Sequence, residues 1–299
     1  MDPILECVPN VSEGQDRRVI ESLADAIRSV AGVRLADIHA DPDHHRSVFT
    51  FLGSPPDVET AALRLAEAAV RALDMSTHRG IHPRIGALDA LPFVPLRGIS
   101  MTEAVAIAHR VGRTLAERLD LPVFFYAEAA LSPARRQLPL IRRGEYEGLP
   151  QKLGNPAWRP DAGPARFNLR SGATAVGARG ILVAFNVWLA SNDLEAARAI
   201  ARAVRESSGG LPAVQAMGVP LARRGIVQVS LNLLDYKKTS LPQVFDRVRS
   251  EAARRGISVR RGELVGLAPR DAFEGAAAAS LGLADFTPAK LLDTYLPTE

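Results

Sequence analysis

Apolar positions along the chain switch repeatedly between the spacings that mark strands and helices. Ile4 to Val11 reads as an apolar strand, and Ile20, Leu23, Ala24, Ile27 and Val30 then recur at helical spacing. Val33 to Ile38 and Ser47 to Leu52 read as two further strands. A second helix opens at Ser54, an N-cap followed at once by Pro55 and three residues on by Asp57, and carries Leu63, Ala66, Ala69, Val70 and Leu73. A strand near Ile85 to Val94 completes the order β-α-β-β-α-β. Ser100-Met101-Thr102-Glu103 forms a capping box for a helix through Ile107, Val111, Leu115 and Leu119, and Leu121 to Ala127 is a further strand, so this pair extends the first unit.

The second half repeats the order. Gly180 to Trp188 reads as a strand, and Asn192 and Glu195 cap a helix through Leu194, Ala197, Ile200, Ala201 and Val204. Strands at Ala213 to Val219 and Ile226 to Leu234 follow, then a helix opened by Ser240 and Gln243 through Val244 and Val248, then a strand at Ile257 to Leu267. Within Ile226 to Leu234 one face carries Val229, Leu231 and Leu233 and the other Gln228, Ser230 and Asn232. The polar face is either solvated or the floor of a ligand channel. The shared order predicts an α/β (α+β) fold of two split βαβ, ferredoxin-like subdomains, residues 1–178 and 179–299. Each is a sheet layered with helices, with the ligand site between them. Between the halves, Arg142 to Gly180 lacks periodic pattern and is rich in glycine. A long irregular stretch of this kind is more often a binding loop than a linker.

Composition narrows the class. Hydrophobic residues make up 47% of the 299, enough to fill real cores. No apolar run is long enough for a membrane span and the N-terminus does not read as a signal peptide, so a cytoplasmic protein away from membranes is expected. Cys7, the single cysteine, sits in an apolar strand pattern and reads as a buried thiol. The net charge of +4 is spread along the chain without basic runs or interleaved aromatics, which favours anionic metabolites over nucleic acid. P-loop, dinucleotide and nucleophile-elbow motifs are absent.

The densest chemistry lies in His78-Arg79-Gly80-Ile81-His82-Pro83-Arg84-Ile85-Gly86-Ala87-Leu88-Asp89. Histidine moves protons near neutral pH, and arginine holds a carboxylate with two parallel hydrogen bonds, so the cluster suits proton transfer beside an anion. His78 and His82 have the spacing of a metal pair on a helix, but Gly80 and Pro83 oppose a helix there. A turn that holds His82 at the mouth of a strand suits a general base, and a hydrogen-bonded structural histidine is the alternative. A second cluster, Asp37-Ile38-His39-Ala40-Asp41-Pro42-Asp43-His44-His45-Arg46, joins two strands. It allows three readings: a metal site resembling the DHH phosphoesterases, a solvated hairpin connection, or contacts around His82 and the substrate.

Several ungapped motifs in one order resemble the glutamate formimidoyltransferase family. They are Glu6-Cys7-Val8-Pro9-Asn10-Val11-Ser12-Glu13-Gly14, Asp74-Met75-Ser76, His82-Pro83-Arg84-Ile85-Gly86-Ala87-Leu88-Asp89, Gly144-Glu145-Tyr146-Glu147, Ala184-Phe185-Asn186 and Gln228-Val229-Ser230-Leu231-Asn232-Leu233. The resemblance covers almost the whole chain, to the stand-alone enzyme or to the transferase part of the bifunctional formimidoyltransferase-cyclodeaminase, and no cyclodeaminase domain is expected here. It implies transfer of a formimidoyl group from N-formimidoyl-L-glutamate to N5 of tetrahydrofolate, in histidine degradation, by a homodimer with a ligand tunnel and no metal. Transfer of a formyl group between 5-formyltetrahydrofolate and glutamate, and a folate-binding protein without transfer activity, are the alternatives. By motif, His82 is the catalytic histidine, and Gly163, Pro164, Ala165, Arg166, Phe167, Asn168, Leu169, Arg170, Ser171 and Gly172 match the folate-binding loop.

Two positions depart from the family. Where better known members place an acidic residue beside the catalytic histidine, this chain has His39, so Asp37 or Asp41 is expected to orient His82 and His39 to contact substrate. Trp188 stands where a second Asn is common after Phe185-Asn186-Val187. From closeness to the polar clusters alone, Arg46 and Arg84 are expected to hold the carboxylates of formimidoylglutamate.

Overall fold

Short polar side chains stand at the start of each long helix and accept the backbone N–H groups that the first turn leaves without a partner. Asp16 does so for α1 (Arg17–Arg28), Ser54 for α2 (Pro55–Ala72), and Ser100 with Glu103 for α3 (Met101–Leu119), the last as a full capping box. Each helix buries one apolar stripe; in α1 it is Ile20, Leu23, Ala24 and Ile27. The computed structural model describes residues 2–297 and divides into two units, Met1–Gly180 and Ile181–Glu299.

The first unit is built on a mixed sheet of seven strands among the described residues. They are β1 (Ile4–Cys7), β2 (Asn10–Val11), β3 (Val33–Asp41), β4 (Arg46–Gly53), β5 (Leu88–Arg97), β6 (Val123–Ala127) and β7 (Thr174–Ala178). The strand expected over Ile4 to Val11 is thus broken in two at Val8 and Pro9, because Pro9 has no N–H for the ladder. β3, β4, the β1–β2 pair and β5 lie in the split-βαβ order, and β7 and then β6 extend the sheet in parallel beyond β5. The stretch from Arg142 to Gly180, expected to be irregular, contains all of β7, whose five residues are buried. It also holds the short helix α5 (Leu149–Leu153), while α4 (Leu138–Arg142) ends where it starts.

In the second unit β8 (Val183–Leu189), α6 (Leu194–Val204), β9 (Val214–Leu221), β10 (Ile226–Leu233), α7 (Leu241–Ala253) and β11 (Val259–Val265) follow the same order. The sheet runs β11-β8-β10-β9 with antiparallel neighbours throughout, the split-βαβ arrangement. Asp193, not Asn192, caps α6, through the backbone N–H of Ala196 at 3.0 Å. Val183, Phe185, Val187, Val229, Leu231 and Leu233 build the core with the helices. On the opposite sheet face Gln228 is fully buried, and Asn186 and Trp188 donate to one oxygen of Glu263 at 2.9 and 3.3 Å. The polar face of β10 is therefore not a simple solvated one. No helix among the described residues is long and apolar enough to cross a membrane.

Candidate active site

Residues 73–87 form a strap between α2 and β5 that carries His82. Two points fix its ends. Asp74 accepts Ser76 N–H at 3.0 Å, and Met75, fully buried, donates its backbone N–H to Arg170 at 2.8 Å. At the other end Asp89 accepts Ile85 N–H at 2.8 Å, and Ser12 donates to the Gly86 carbonyl at 2.7 Å. Asp89 is itself held by Arg142 through Nε at 3.0 Å and a closer Nη2 contact. Gly86 lies against Gly172, which has φ +70°, and a Cβ on Gly86 would meet the Ala173 and Ser171 carbonyls at 2.2 and 2.5 Å. This close approach ties the strap to the end of the 163–172 loop.

The middle of the strap lies on the β3–β4 turn. Asp41 Oδ1 accepts the N–H groups of Asp43 and His44, both at 2.8 Å, and His45 takes a left-handed conformation at φ +51°. His45 then donates from Nδ1 to the Arg79 carbonyl at 2.7 Å and places Nε2 3.3 Å from Glu13. Its ring stacks on His78 with centroids 4.2 Å apart, and His78 returns a hydrogen bond from Nε2 to the His45 carbonyl at 3.1 Å. Burial raises the Glu13 carboxyl, but hydrogen bonds from His45 and from the backbone of Asp16 and Gln15 outweigh it and bring the pKa down to about 2. Burial brings His78 down to about 4, so it is neutral at physiological pH and accepts Arg84 Nε at 3.3 Å on Nδ1.

His82 is half-buried and its acceptor atom is in use: Arg46 Nη1 donates to Nε2 in a very short contact, and the same Nη1 donates to Asn10 Oδ1 at 3.2 Å. Nδ1 is buried and has no hydrogen-bond partner among the described residues. The His44 ring lies 5.8 Å away, roughly parallel. Burial first, then the charges of Arg46 and Arg142 and the neighbouring His44, hold the His82 pKa well below the usual imidazole range. Ser12, His44, His45, Arg46, His78, His82, Arg84 and Asp89 share one small polar pocket.

Placement of the other expected residues corrects two assignments. Asp37, His39 and Asp41 lie on β3, opposite Thr50, Val48 and Arg46 of β4, on one face of the sheet. The expectation that Asp37 or Asp41 orients His82 is not met: the imidazole nitrogens have the contacts described above, and Asp41 spends Oδ1 on the turn. Arg84 was expected to take a substrate carboxylate, but its own chain already supplies two. Nη1 donates to Glu145 and Glu147 at 2.9 and 2.8 Å and Nη2 to Glu147 at 2.6 Å, with Arg84 5% exposed. A buried guanidinium demands such a countercharge, and the Gly144-Glu145-Tyr146-Glu147 motif was the signal for it. Arg79, Gly80, Arg84, Gly144, Glu145 and Glu147 line an open cleft of about 400 Å³ beside the strap.

In the 163–172 loop, Gly163 has φ +82°, Asn168 caps the turn through Ser171 N–H at 3.0 Å, and Phe167 packs on Tyr146 with centroids 5.2 Å apart. Tyr146 donates its hydroxyl to the Leu169 carbonyl, while the Leu169 side chain is 62% exposed. Arg166 pairs with Asp120 and Arg170 donates to the Arg71 carbonyl at 3.0 Å. Glu145-Tyr146-Glu147 thus connects the loop, through Tyr146, to the strap, through Arg84.

Comparison with known proteins accounts for both units. The N-terminal subdomain of the formiminotransferase domain matches residues 4–179, and a second part of the formiminotransferase domain matches residues 184–281. The chain is 41% identical over 297 residues to a glutamate formimidoyltransferase of Streptococcus pyogenes serotype M1, covering 99% of each, and 40% identical to one of Thermoplasma acidophilum, covering 97% of this chain and 96% of that one. It is 46% identical to the formimidoyltransferase-cyclodeaminase of Mus musculus over 93% of this chain, but spans only 52% of that longer protein. The chain belongs to the formiminotransferase family.

Proposed function

We propose that this chain is a glutamate formimidoyltransferase, moving the formimidoyl group of N-formimidoyl-L-glutamate to N5 of tetrahydrofolate in histidine degradation and one-carbon metabolism. The observation that carries the reading is a neutral histidine on a doubly anchored strap, with a guanidinium at its acceptor nitrogen. In the reaction, folate N5 attacks the amidine carbon and the new N5–C bond forms while Nε2 of His82 takes the N5 proton. The bond from that carbon to the glutamate nitrogen then breaks, and the departing nitrogen receives the same proton. A histidine whose pKa is held low makes a reluctant base but a strong acid once charged, which favours the second half of the step.

Arg46 is the residue we assign to a substrate carboxylate, and His39, on the same sheet face, is a further contact for the substrate. Gly163 to Gly172 would hold tetrahydrofolate, the co-substrate. Support comes from the exposed Leu169 side chain in the middle of the loop. A cytoplasmic homodimer, carried over from the family resemblance, belongs to the same proposal, and light scattering tests the dimer.

The test is a transfer assay with purified protein and both formimidoyl and formyl donors. Formation of glutamate and 5-formimidoyltetrahydrofolate is expected, and His82→Ala should lose at least about a hundredfold in turnover with an unchanged circular dichroism spectrum. Full activity in that variant would discard the mechanism. Tight folate binding without transfer from either donor would discard the function.

A further inference from the structure

We infer that the open cleft beside the strap is a binding site for a zwitterionic α-amino acid, with the carboxylate on Arg79 and the cationic nitrogen on Glu145. Only the choice of L-glutamate within that class rests on the transferase reading, as the amino acid such a reaction would release. The cleft, of about 400 Å³, is lined by Arg79, Gly80, Arg84, Gly144, Glu145 and Glu147, and Arg84 is the one residue it shares with the small pocket around His82. Its charges balance, two guanidiniums against two carboxylates, but they do not all satisfy one another.

Arg84 and Glu147 form a closed pair. Nη1 donates to Glu147 Oε2 at 2.8 Å and Nη2 to Oε1 at 2.6 Å, so one buried guanidinium engages both carboxylate oxygens. Glu145 is therefore more than Arg84 needs. It offers Arg84 only Oε2, at 2.9 Å, while Oε1 accepts no hydrogen bond among the described residues and the side chain is 41% exposed. The turn holds it there at a conformational cost, because Gly144 and Glu145 are successive left-handed residues, at φ +87° and +55°, and the second is not a glycine. Arg79 is the opposite charge left over. It is exposed on the strap, its Nη1 donates to the backbone carbonyls of Ser76 and His78 at 3.1 and 2.8 Å, and it forms no ion pair among the described residues. Those two bonds restrain the group and leave its Nε–Nη2 edge, which carries two parallel donors of the kind that match a carboxylate. Its charge acts across the cleft: the hydrogen bond from Arg84 and, through space, Arg79 hold the Glu147 carboxyl below its ordinary range. A pure anion would gain Arg79 and meet Glu145, and a pure cation the reverse, whereas a molecule with both charges on one carbon satisfies both. Gly80 and Gly144 add no side chain to the lining, which leaves space for the rest of the amino acid. A bound amino acid joins the strap, through Arg79, to the turn of residues 144–147, through Glu145.

The experiment is isothermal titration calorimetry of the intact protein with three probes: L-glutamate, glutarate, which has the carboxylates without the cationic nitrogen, and n-butylamine, which has the nitrogen without a carboxylate. L-Glutamate should bind at least about tenfold more tightly than either of the others. Arg79→Gln and Glu145→Gln should each weaken it by about tenfold or more, the effect of losing one charge-assisted contact. Both side chains reach solvent and Arg84 keeps Glu147, so both variants should retain the wild-type circular dichroism spectrum. Absence of glutamate binding, or glutarate bound as tightly as glutamate, overturns the site with wild-type protein alone. Undiminished affinity in either variant also overturns it, because glutamate then sits elsewhere, the transfer site included. Turnover measured on the same preparations separates the two readings. An active transferase with no glutamate in the cleft keeps the function and loses the amino-acid site, whereas an inactive protein that binds glutamate through Arg79 and Glu145 keeps the site and loses the function.

Discussion

Asp89 holds the end of the strap that presents His82, so its charge can be tested apart from its shape. It is 1% exposed, accepts Ile85 N–H at 2.8 Å on Oδ1, and receives Arg142 on Oδ2. Asp89→Asn keeps an oxygen for Ile85 and deletes the charge, leaving Arg142, whose side chain is 14% exposed, without its carboxylate. Removing one partner of a buried ion pair costs about 3–5 kcal/mol, much of it the uncompensated charge left behind. For a unit of this size that corresponds to a melting point lower by roughly 6–20 °C. The two tryptophans make the assay specific, because Trp158 lies in the first unit and Trp188 in the second. In a Trp188→Phe background, urea and thermal unfolding followed by fluorescence report the unit that holds Asp89. The double variant Asp89→Asn, Arg142→Leu should recover much of the loss, since it removes the uncompensated guanidinium and keeps the oxygen for Ile85 N–H. A single variant within about 1 kcal/mol of its parent would refute the reasoning, as would a double variant no better than the single.

Three further outcomes follow from the same geometry. The Glu13 pKa is lowered from 4.5 to about 2, so its ionised carboxylate, held by His45 and by the N–H groups of Asp16 and Gln15, contributes stability that is complete above about pH 4.5 and lost as pH falls towards 2. That contribution is about 3 kcal/mol, and the urea-midpoint difference between wild type and Glu13→Gln should shrink steadily across this window; a constant difference would show that the charge is not involved. Gly86→Ala should push the strap away from residues 171–173, cost about 1–3 kcal/mol and raise KM for the folate several-fold, whereas an unchanged KM would separate the strap from the loop. Since no step of the proposed reaction passes through a metal ion, turnover should survive dialysis against EDTA, and loss restored by a divalent cation would require a different mechanism.

Much of the fold was legible because its signals are local. Ser54, Ser100 and Ser240 cap helices through contacts three residues away, and the apolar stripe of each helix lies within it. β7 was missed for the opposite reason. Thr174-Ala175-Val176-Gly177-Ala178 is a parallel strand between two others with all five residues buried, so neither alternation nor bulky apolar residues mark it. Asp193 competed with Asn192 as a cap one residue away, a choice that backbone geometry makes and composition does not.

The site divides along the same line. His82 stood out because histidines, arginines and Pro83 crowd into twelve residues, but Arg84 in that stretch and Arg46 in the 37–46 cluster looked equally fit for a substrate carboxylate. What separates them lies about sixty residues along the chain, where Glu145 and Glu147 close on Arg84, and at Asn10, which shares Arg46 with His82. An arginine already matched by carboxylates of its own chain is structural at neutral pH, because exchanging one carboxylate for another gains little. Arg46 instead meets the imidazole of His82. Sequence order carries no trace of these pairings, since the partners lie far apart in the chain. Only the pairing of β3 with β4 brings Arg46 to the strap, and only the anchors at Met75, Gly86 and Asp89 keep His82 there to meet it.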